Sequence, residues 1–300
     1  MTSSLHMNFF AKKYILFTAQ KRFKQKTVKY HDGISAIVFT KDRPIQLHSL
    51  LESYFYYTAN PAHLTIIYSC SDSSYQKGYD ELATIWKDME FVRETTFHDT
   101  LKSVLSSIDN EKIFFLVDDI IFTRHYNLSD LAGVNCQKYI PSLRLGKNIS
   151  YSYVRNRDIV PPHFISYNEA LISWKWSAKN SYWSYPLSLD GHIFLLHELK
   201  IMIDLIHFNA PNSLEENLQL FNSLYFKRAG ISFRQSVLLN TPWNMVQTEI
   251  INQNENISTE YLLTQWQKGK RIQFESYHNF DNKSCHEVLP VVFSERKLLR

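Results

Sequence analysis

Glycine is scarce in this chain: seven in 300 residues, at 33, 78, 133, 146, 191, 230 and 269, with no two inside ten positions of each other. That spacing excludes the G-x-G-x-x-G turn and the Walker A loop, which need neighbouring glycines so that backbone can approach a phosphate. Cysteine is scarcer still, with Cys70, Cys136 and Cys285 and no C-x-x-C pair. An odd, scattered set argues against a disulfide framework or a zinc knuckle and fits a reducing compartment. Long apolar runs are also missing. No stretch reaches the ~18 residues of a membrane span, and the longest candidate, 192–208, carries Glu198, Lys200 and Asp204. The early apolar run 14–19 is too short for the core of a signal peptide. The expectation is a cytoplasmic protein, soluble or held at the inner face of a membrane.

Basic excess is missing from most of the chain as well. The formal charge is +4, but residues 1–33 hold seven bases (Lys12, Lys13, Lys21, Arg22, Lys24, Lys26, Lys29) against Asp32 alone. The other 267 residues hold 26 bases and 28 acids. A slightly acidic body is not expected to bind nucleic acid. What is present is a globular composition, 44% apolar and 21% charged, with 15% aromatic residues. Such a chain buries a full core. Residues 1–33 read as a basic arm. Its segment 9–29 would suit an anionic membrane surface or stand as a solvated extension. Residues 34–300 read as one domain.

From residue 34 apolar runs alternate with helical periodicity. Runs 34–39, 64–68, 91–93 and 112–117 read as strands. Between them lie helices, the first with Leu47, Leu50, Leu51, Tyr54 and Phe55 at 3–4 spacing. This order predicts an α/β fold with a mostly parallel central sheet flanked by helices. Ligands of such sheets sit beyond the carboxyl ends of the strands. Those ends are polar: Thr40 to Arg43, the serine-rich 69–74, and Asp118-Asp119. Two adjacent carboxylates between apolar runs need a partner, because burying their charge is costly. A divalent cation carrying a diphosphate is one such partner.

At this point the chain resembles a family. The strand 34–39 running into Thr-Lys-Asp-Arg-Pro, Asp72 after the second strand, and Phe-Leu-Val-Asp-Asp at 115–119 are similar to the nucleotide-binding half of GT-A-fold glycosyltransferases of the family-2 type. The likeness covers residues 34–125, leaving 126–300 as an aromatic-rich, more helical acceptor-binding half. It implies that Thr40, Arg43, Asp72 and Asp118 bind the nucleotide sugar and that Asp119 binds Mn2+ or Mg2+. The family's acidic motif often has a carboxylate two places after its first Asp, where this chain has Ile120.

The resemblance also implies a catalytic carboxylate in the second half, to take the acceptor hydroxyl's proton. Asp190 stands in a proline-containing loop before a helix expected over 192–208, which it could equally N-cap. Glu215 is the second candidate, although Ser213-x-x-Glu216 beside it reads as a capping box. Arg144 and Lys147 would neutralise the diphosphate. Trp174, Trp176, Trp183 and Tyr185 would stack on acceptor sugars or pack the core. Of the late histidines His278 and His286, the latter would complete a metal shell if the tail folds back. His192 and His197 form no H-E-x-x-H motif.

The function that follows is transfer of a sugar from a nucleotide-diphosphate-sugar donor to a glycan or lipid-linked acceptor, in cell-surface polysaccharide or glycoconjugate synthesis. Two alternatives remain: a non-catalytic carbohydrate- or nucleotide-binding protein of the same fold, and a sugar-nucleotide pyrophosphorylase. The second would need a glycine-rich phosphate loop where Thr-Lys-Asp-Arg-Pro stands.

Overall fold

The computed structural model describes residues 9–25, 29–176, 181–244 and 257–296. Helix α1 (Phe9–Phe23) precedes strand β1 (His31–Lys41), in which residues 34–40 are all buried. A strand covered on both faces belongs at the middle of a sheet. Pro44 opens α2 (Pro44–Tyr57), where its missing N–H costs nothing. Then come β2 (His63–Ser69), α3 (Ser73–Ile85), β3 (Glu90–Arg93), α4 (Phe97–Ser107) and β4 (Asn110–Val117). The strands lie in the order β4-β1-β2-β3, all parallel. Alternate side chains feed two cores. Ala36, Val38, Leu64, Ile66, Phe114 and Leu116 pack under α2 and α3. Ile37, Phe39, Ile67, Ile113 and Phe115 pack on the other face with Leu101 and Val104 of α4. The expected mostly parallel, helix-flanked α/β sheet is the observed one.

The second half adds β5 (Ile120–Phe122), β6 (Tyr139–Ser142), β7 (Ile165–Ser166), β8 (Leu171–Trp174), β9 (Ile193–Leu195), α5 (Leu196–Asp204), α6 (Pro211–Leu218), β10 (Ala229–Phe233), β11 (Leu238–Asn240) and α7 (Thr259–Gln267). Strands β7-β8-β10-β6 form a second sheet, and β11 pairs antiparallel with β5. Strand β9 joins the central sheet beside β4, antiparallel, with Ile193 opposite Phe114 and Phe194 opposite Ile113.

Three local expectations change. The helix expected over 192–208 begins only at Leu196, because Ile193, Phe194 and Leu195 gain more by pairing with β4 and burying there. Asp190 therefore precedes a strand and caps no helix. Ser213 lies inside the first turn of α6, where its hydroxyl accepts the Ala210 and Asn209 N–H groups at 3.1 Å each, so it does not begin a box with Glu216. The basic arm is not a free extension over its described part: Ala19 is fully buried, and β1 already starts at His31. No described helix is long and apolar enough to cross a membrane.

Candidate functional site

Two arginine–carboxylate clusters meet beyond the carboxyl ends of β1 and β4. In the first, register does the positioning. Phe39 pairs with Val117, so the residues that follow each strand emerge side by side. Arg43 Nη1 donates to Asp118 Oδ1 at 2.7 Å and to Asp119 Oδ2 at 3.3 Å, and Nη2 donates to the Asn244 carbonyl at 2.6 Å. The Lys41 N–H adds a bond to Asp118 Oδ2 at 3.2 Å. Arg43 and Asp118 are buried, and such charges persist in a fold only when paired. Burial works against the guanidinium charge, but Asp118 and Asp119 outweigh it and raise the Arg43 pKa. Thr40 Oγ1 shares a hydrogen bond with the Tyr79 hydroxyl at 2.8 Å, and that hydroxyl accepts the Arg43 N–H at 3.1 Å.

Asp42 makes the turn. Its φ of 55° lies in the left-handed region, which aspartate tolerates better than most residues. Its carboxylate accepts the Ser71 N–H at 2.7 Å and the Ser71 hydroxyl at 2.8 Å, tying the end of β1 to the end of β2.

In the second cluster, Arg144 Nη1 pairs with Asp190 Oδ2 at 3.0 Å and also donates to the Ser188 hydroxyl. His286 Nε2 stands 3.5 Å from the same Asp190 oxygen, and its Nδ1 lies 3.3 Å from the Tyr182 hydroxyl. Glu215 Oε1 accepts the Ser188 hydroxyl at 2.9 Å and the Leu189 N–H at 3.0 Å, holding the loop that presents Asp190. That loop is fastened to the sheet by the Gly191 N–H, which reaches the Phe115 carbonyl at 2.8 Å. Burial, reinforced by Asp190 and opposed by Arg144, pushes the Glu215 carboxyl up. Burial and the Arg144 charge push His286 down to about 4, so its ring is neutral at neutral pH.

The clusters share one electrostatic environment. Burial, resisted by Arg43 and reinforced by Asp118 and Asp190, pushes the Asp119 carboxyl up. Asp119 Oδ1 is buried and has no hydrogen-bond partner among the described residues. One unpaired carboxylate oxygen fits a hard cation whose remaining ligands are diphosphate oxygens and water, the usual mode for Mg2+. Among the described residues no group of three His, Cys, Asp or Glu side chains converges as a metal cage. His286 is turned toward Asp190 and Tyr182, so its place is beside the carboxylate expected to act as base.

The structure thus brings together Thr40, Arg43, Asp118, Asp119, Arg144, Asp190, Glu215 and His286. Others lie apart. Asp72 is exposed and N-caps α3, its Oδ1 accepting the Ser74 and Tyr75 N–H groups. Lys147 is exposed, whereas Arg144 three residues earlier is buried. Trp174, Trp176 and Trp183 are buried in the core and pack edge to face, with ring centroids 5.4 Å (Trp174–Trp176) and 5.2 Å (Trp174–Trp183) apart. Their faces are spent on each other, so they offer no platform to an acceptor sugar. Tyr185 is half-buried, and burial together with Glu215 raises its hydroxyl pKa.

Sequence reasoning missed Asp42, Tyr79 and Asn244. Asp42 was within reach, since it sits in the polar end of the first strand. Asn244 lies 201 residues from Arg43, and no local pattern marks that contact.

No family model matches the chain. It is 26% identical over 214 residues to the bifunctional glycosyltransferase pgtA of Dictyostelium discoideum, a match covering 62% of this chain and 28% of that protein. The chain therefore spans little more than a quarter of the length of that relative. It is similar to S. aureus TarS 1–349 in complex with UDP: 18% identity, 68% of this chain, 57% of that one, TM-score 0.43. It is also similar to the mannosyltransferase PcManGT of Pyrobaculum calidifontis in complex with GDP-Man and Mn2+: 16% identity, 47% and 44% of the two chains, TM-score 0.31. The resemblance to glycosyltransferases implied by the motifs is borne out by the curated relative, which is of that class.

Proposed function

We propose that this chain transfers a sugar from a nucleoside-diphosphate-sugar donor to the hydroxyl of a glycan or lipid-linked acceptor, in the synthesis of a cell-surface polysaccharide or other glycoconjugate. The observation that carries this reading is the unequal treatment of the two strand-end carboxylates. Asp118 is held by Arg43 and the Lys41 N–H, while Asp119 keeps Oδ1 buried and unpaired. A fixed carboxylate suits a ribose hydroxyl, and an unpaired one suits a cation on the diphosphate. The similarity to a glycosyltransferase supports the same class.

Thr40, Asp42 and Arg43 would form the nucleoside side. Asp119 would hold Mn2+ or Mg2+, whose chemistry is to neutralise charge on the departing diphosphate. Asp190 would take the proton of the acceptor hydroxyl as that oxygen attacks the anomeric carbon and the nucleoside diphosphate leaves. Arg144 and His286 orient its carboxylate, and Glu215 fixes the loop that carries it. Tyr185, whose hydroxyl feels the Glu215 charge, would border the acceptor. The cytoplasmic setting expected from three unpaired cysteines goes with this reading.

The test is calorimetric titration of UDP, GDP, CDP and TDP, with and without Mn2+, into the wild type and Asp119→Ala. One nucleotide should bind more tightly with Mn2+. Asp119→Ala should weaken that binding about tenfold or more and remove its metal dependence. Absence of binding for every nucleotide in every combination would sink the proposal.

A further inference from the structure

The outer face of α1 takes no part in the chemistry above. We propose that it docks the enzyme on an anionic lipid bilayer, with its aromatic rings at the headgroup–acyl boundary and its lysines among the phosphates.

The placement follows from the helix itself. At about 3.6 residues per turn, Phe10, Lys13, Tyr14, Phe17, Gln20, Lys21 and Lys24 fall within an arc of about 120°. Every one of them is exposed. Phe10 is 79% exposed, Tyr14 70% and Phe17 66%; Phe9, at the edge of the arc, is 63% exposed. The opposite arc carries Ile15, Leu16, Ala19 and Phe23, which pack into the core that α5 and the turn Gln219–Phe221 share. Phe23 meets Tyr225 edge to face with centroids 6.5 Å apart, and Arg22 reaches Asp204 at 3.4 Å. The helix therefore carries large apolar side chains on two sides, interleaved with lysines on the outer one. One side is satisfied by the fold. The other is not covered by any described residue.

Grouped exposed aromatics mark an interaction surface. The accompanying charges choose the partner. Residues 9–25 contain Lys12, Lys13, Lys21, Arg22 and Lys24 and no acid. Lys13 Nζ lies 4.4 Å from the Phe9 ring centroid, so cation and ring already act together. Two copies meeting through this face would set lysine against lysine, which disfavours self-association. An anionic bilayer complements both components at once: aromatic rings prefer the interface, and each lysine near the surface strengthens attachment about fivefold. Because the inner face is already packed, docking requires no folding step. The same helix touches the turn Gln219–Phe221, whose Gln219 side chain donates to the Leu187 carbonyl in the loop of Asp190. A docked α1 would thus orient the acceptor cluster relative to the membrane.

The test is co-sedimentation of the full chain with vesicles of phosphatidylcholine alone and of phosphatidylcholine with about 30% phosphatidylglycerol, enough for a clear surface potential. Wild type should bind the anionic vesicles at least about tenfold more tightly than the neutral ones, and less tightly at high salt. The triple change Phe10→Ser, Tyr14→Ser, Phe17→Ser should weaken binding about tenfold or more, and Lys13→Gln, Lys21→Gln, Lys24→Gln on the order of 100-fold. Nucleotide titration of both variants, as above, should match wild type, which reports folding and keeps this test separate from that of sugar transfer. Equal binding to both vesicles, no binding to either, or variants that bind as wild type would overturn the proposal. So would a wild-type dimer that the aromatic triple converts to monomer, since that outcome gives the face to a second copy.

Discussion

The two halves of the molecule each set a buried arginine against carboxylates, but they use very different lengths of chain to do it. Arg43 follows β1 by two residues, and Asp118 follows β4 directly. The two strands are parallel neighbours in fixed register, so the pair forms wherever the sheet forms. Arg144 follows β6 and meets Asp190 and Ser188 of the 188–190 loop, which in turn meets Glu215 of α6 and His286 of the tail. Among the described residues only single bridges link these pieces, Ser142 with His192 and Asn240 with His286, and no shared strand register does. The first cluster is a consequence of the sheet, and the second is assembled by loops around it. A device that must be rigid, such as a nucleotide cradle, gains from the first arrangement. One that must admit varied acceptors gains from the second, because loops change without disturbing the sheet.

Breaking each cluster should separate these roles. Arg43→Ala leaves the buried Asp118 and the part-buried Asp119 without their cation, and is expected to lower stability by about 3–5 kcal/mol. Urea unfolding measures it, and a loss below ~1 kcal/mol would show that the sheet tolerates the pair unaided. Asp190→Asn keeps size and most hydrogen bonding, so it should cut turnover by about 100-fold or more while donor binding stays as it was. Unchanged turnover would remove Asp190 from the chemistry and return attention to Glu215.

A smaller effect distinguishes the clusters by pH. The folded-state pKa of His286, about 4, lies below its ordinary 6.5. The stability tied to its neutral ring is therefore present above pH 6.5 and is lost as pH falls from there through the folded value. His286→Gln should flatten the stability profile over that window, by on the order of 1–3 kcal/mol at its acid end. Parallel profiles for the two proteins would mean that His286 is not held neutral. The smallest effect concerns a residue outside both clusters. Asp72→Ala should cost about 1 kcal/mol through the lost N-cap of α3. It should leave nucleotide affinity unchanged in the same calorimetry; a fall of about tenfold or more would restore Asp72 to the nucleoside site.

Much of the first cluster is legible in the chain's own pattern. Strands 34–39 and 112–117 announce themselves by uninterrupted apolar runs, and polar residues at their ends follow the general rule for parallel sheets. Asp42 lies in the same polar strand end, but its left-handed backbone and its tie to Ser71 are visible only in the fold. The tryptophans stay ambiguous in the sequence for a different reason. A cluster of aromatics has the same composition whether it lines a sugar site or fills a core, and only burial separates the two. Asp72 likewise has one sequence signature for a nucleoside contact and for a helix cap. Asn244 and the Asp190–His286 contact are beyond reach, because each joins segments far apart in the chain.

Period, alternation and residue type were enough to establish the central sheet, the carboxylate pair at its edge and the charge of the first helix. Each of these acts over a few neighbouring positions, so a linear reading captures it. Three features arose from the folded chain alone: His286 lies beside Asp190, three tryptophans belong to the core, and α1 keeps aliphatic side chains inside while Phe10, Tyr14 and Phe17 stay outside. The tail reaches the site because Asn148 donates to the Asn282 carbonyl at 2.7 Å and Ser236 bonds the Asn282 side chain at 2.9 Å. Such closures between distant segments are set by the packing of the whole chain, and no local pattern encodes them.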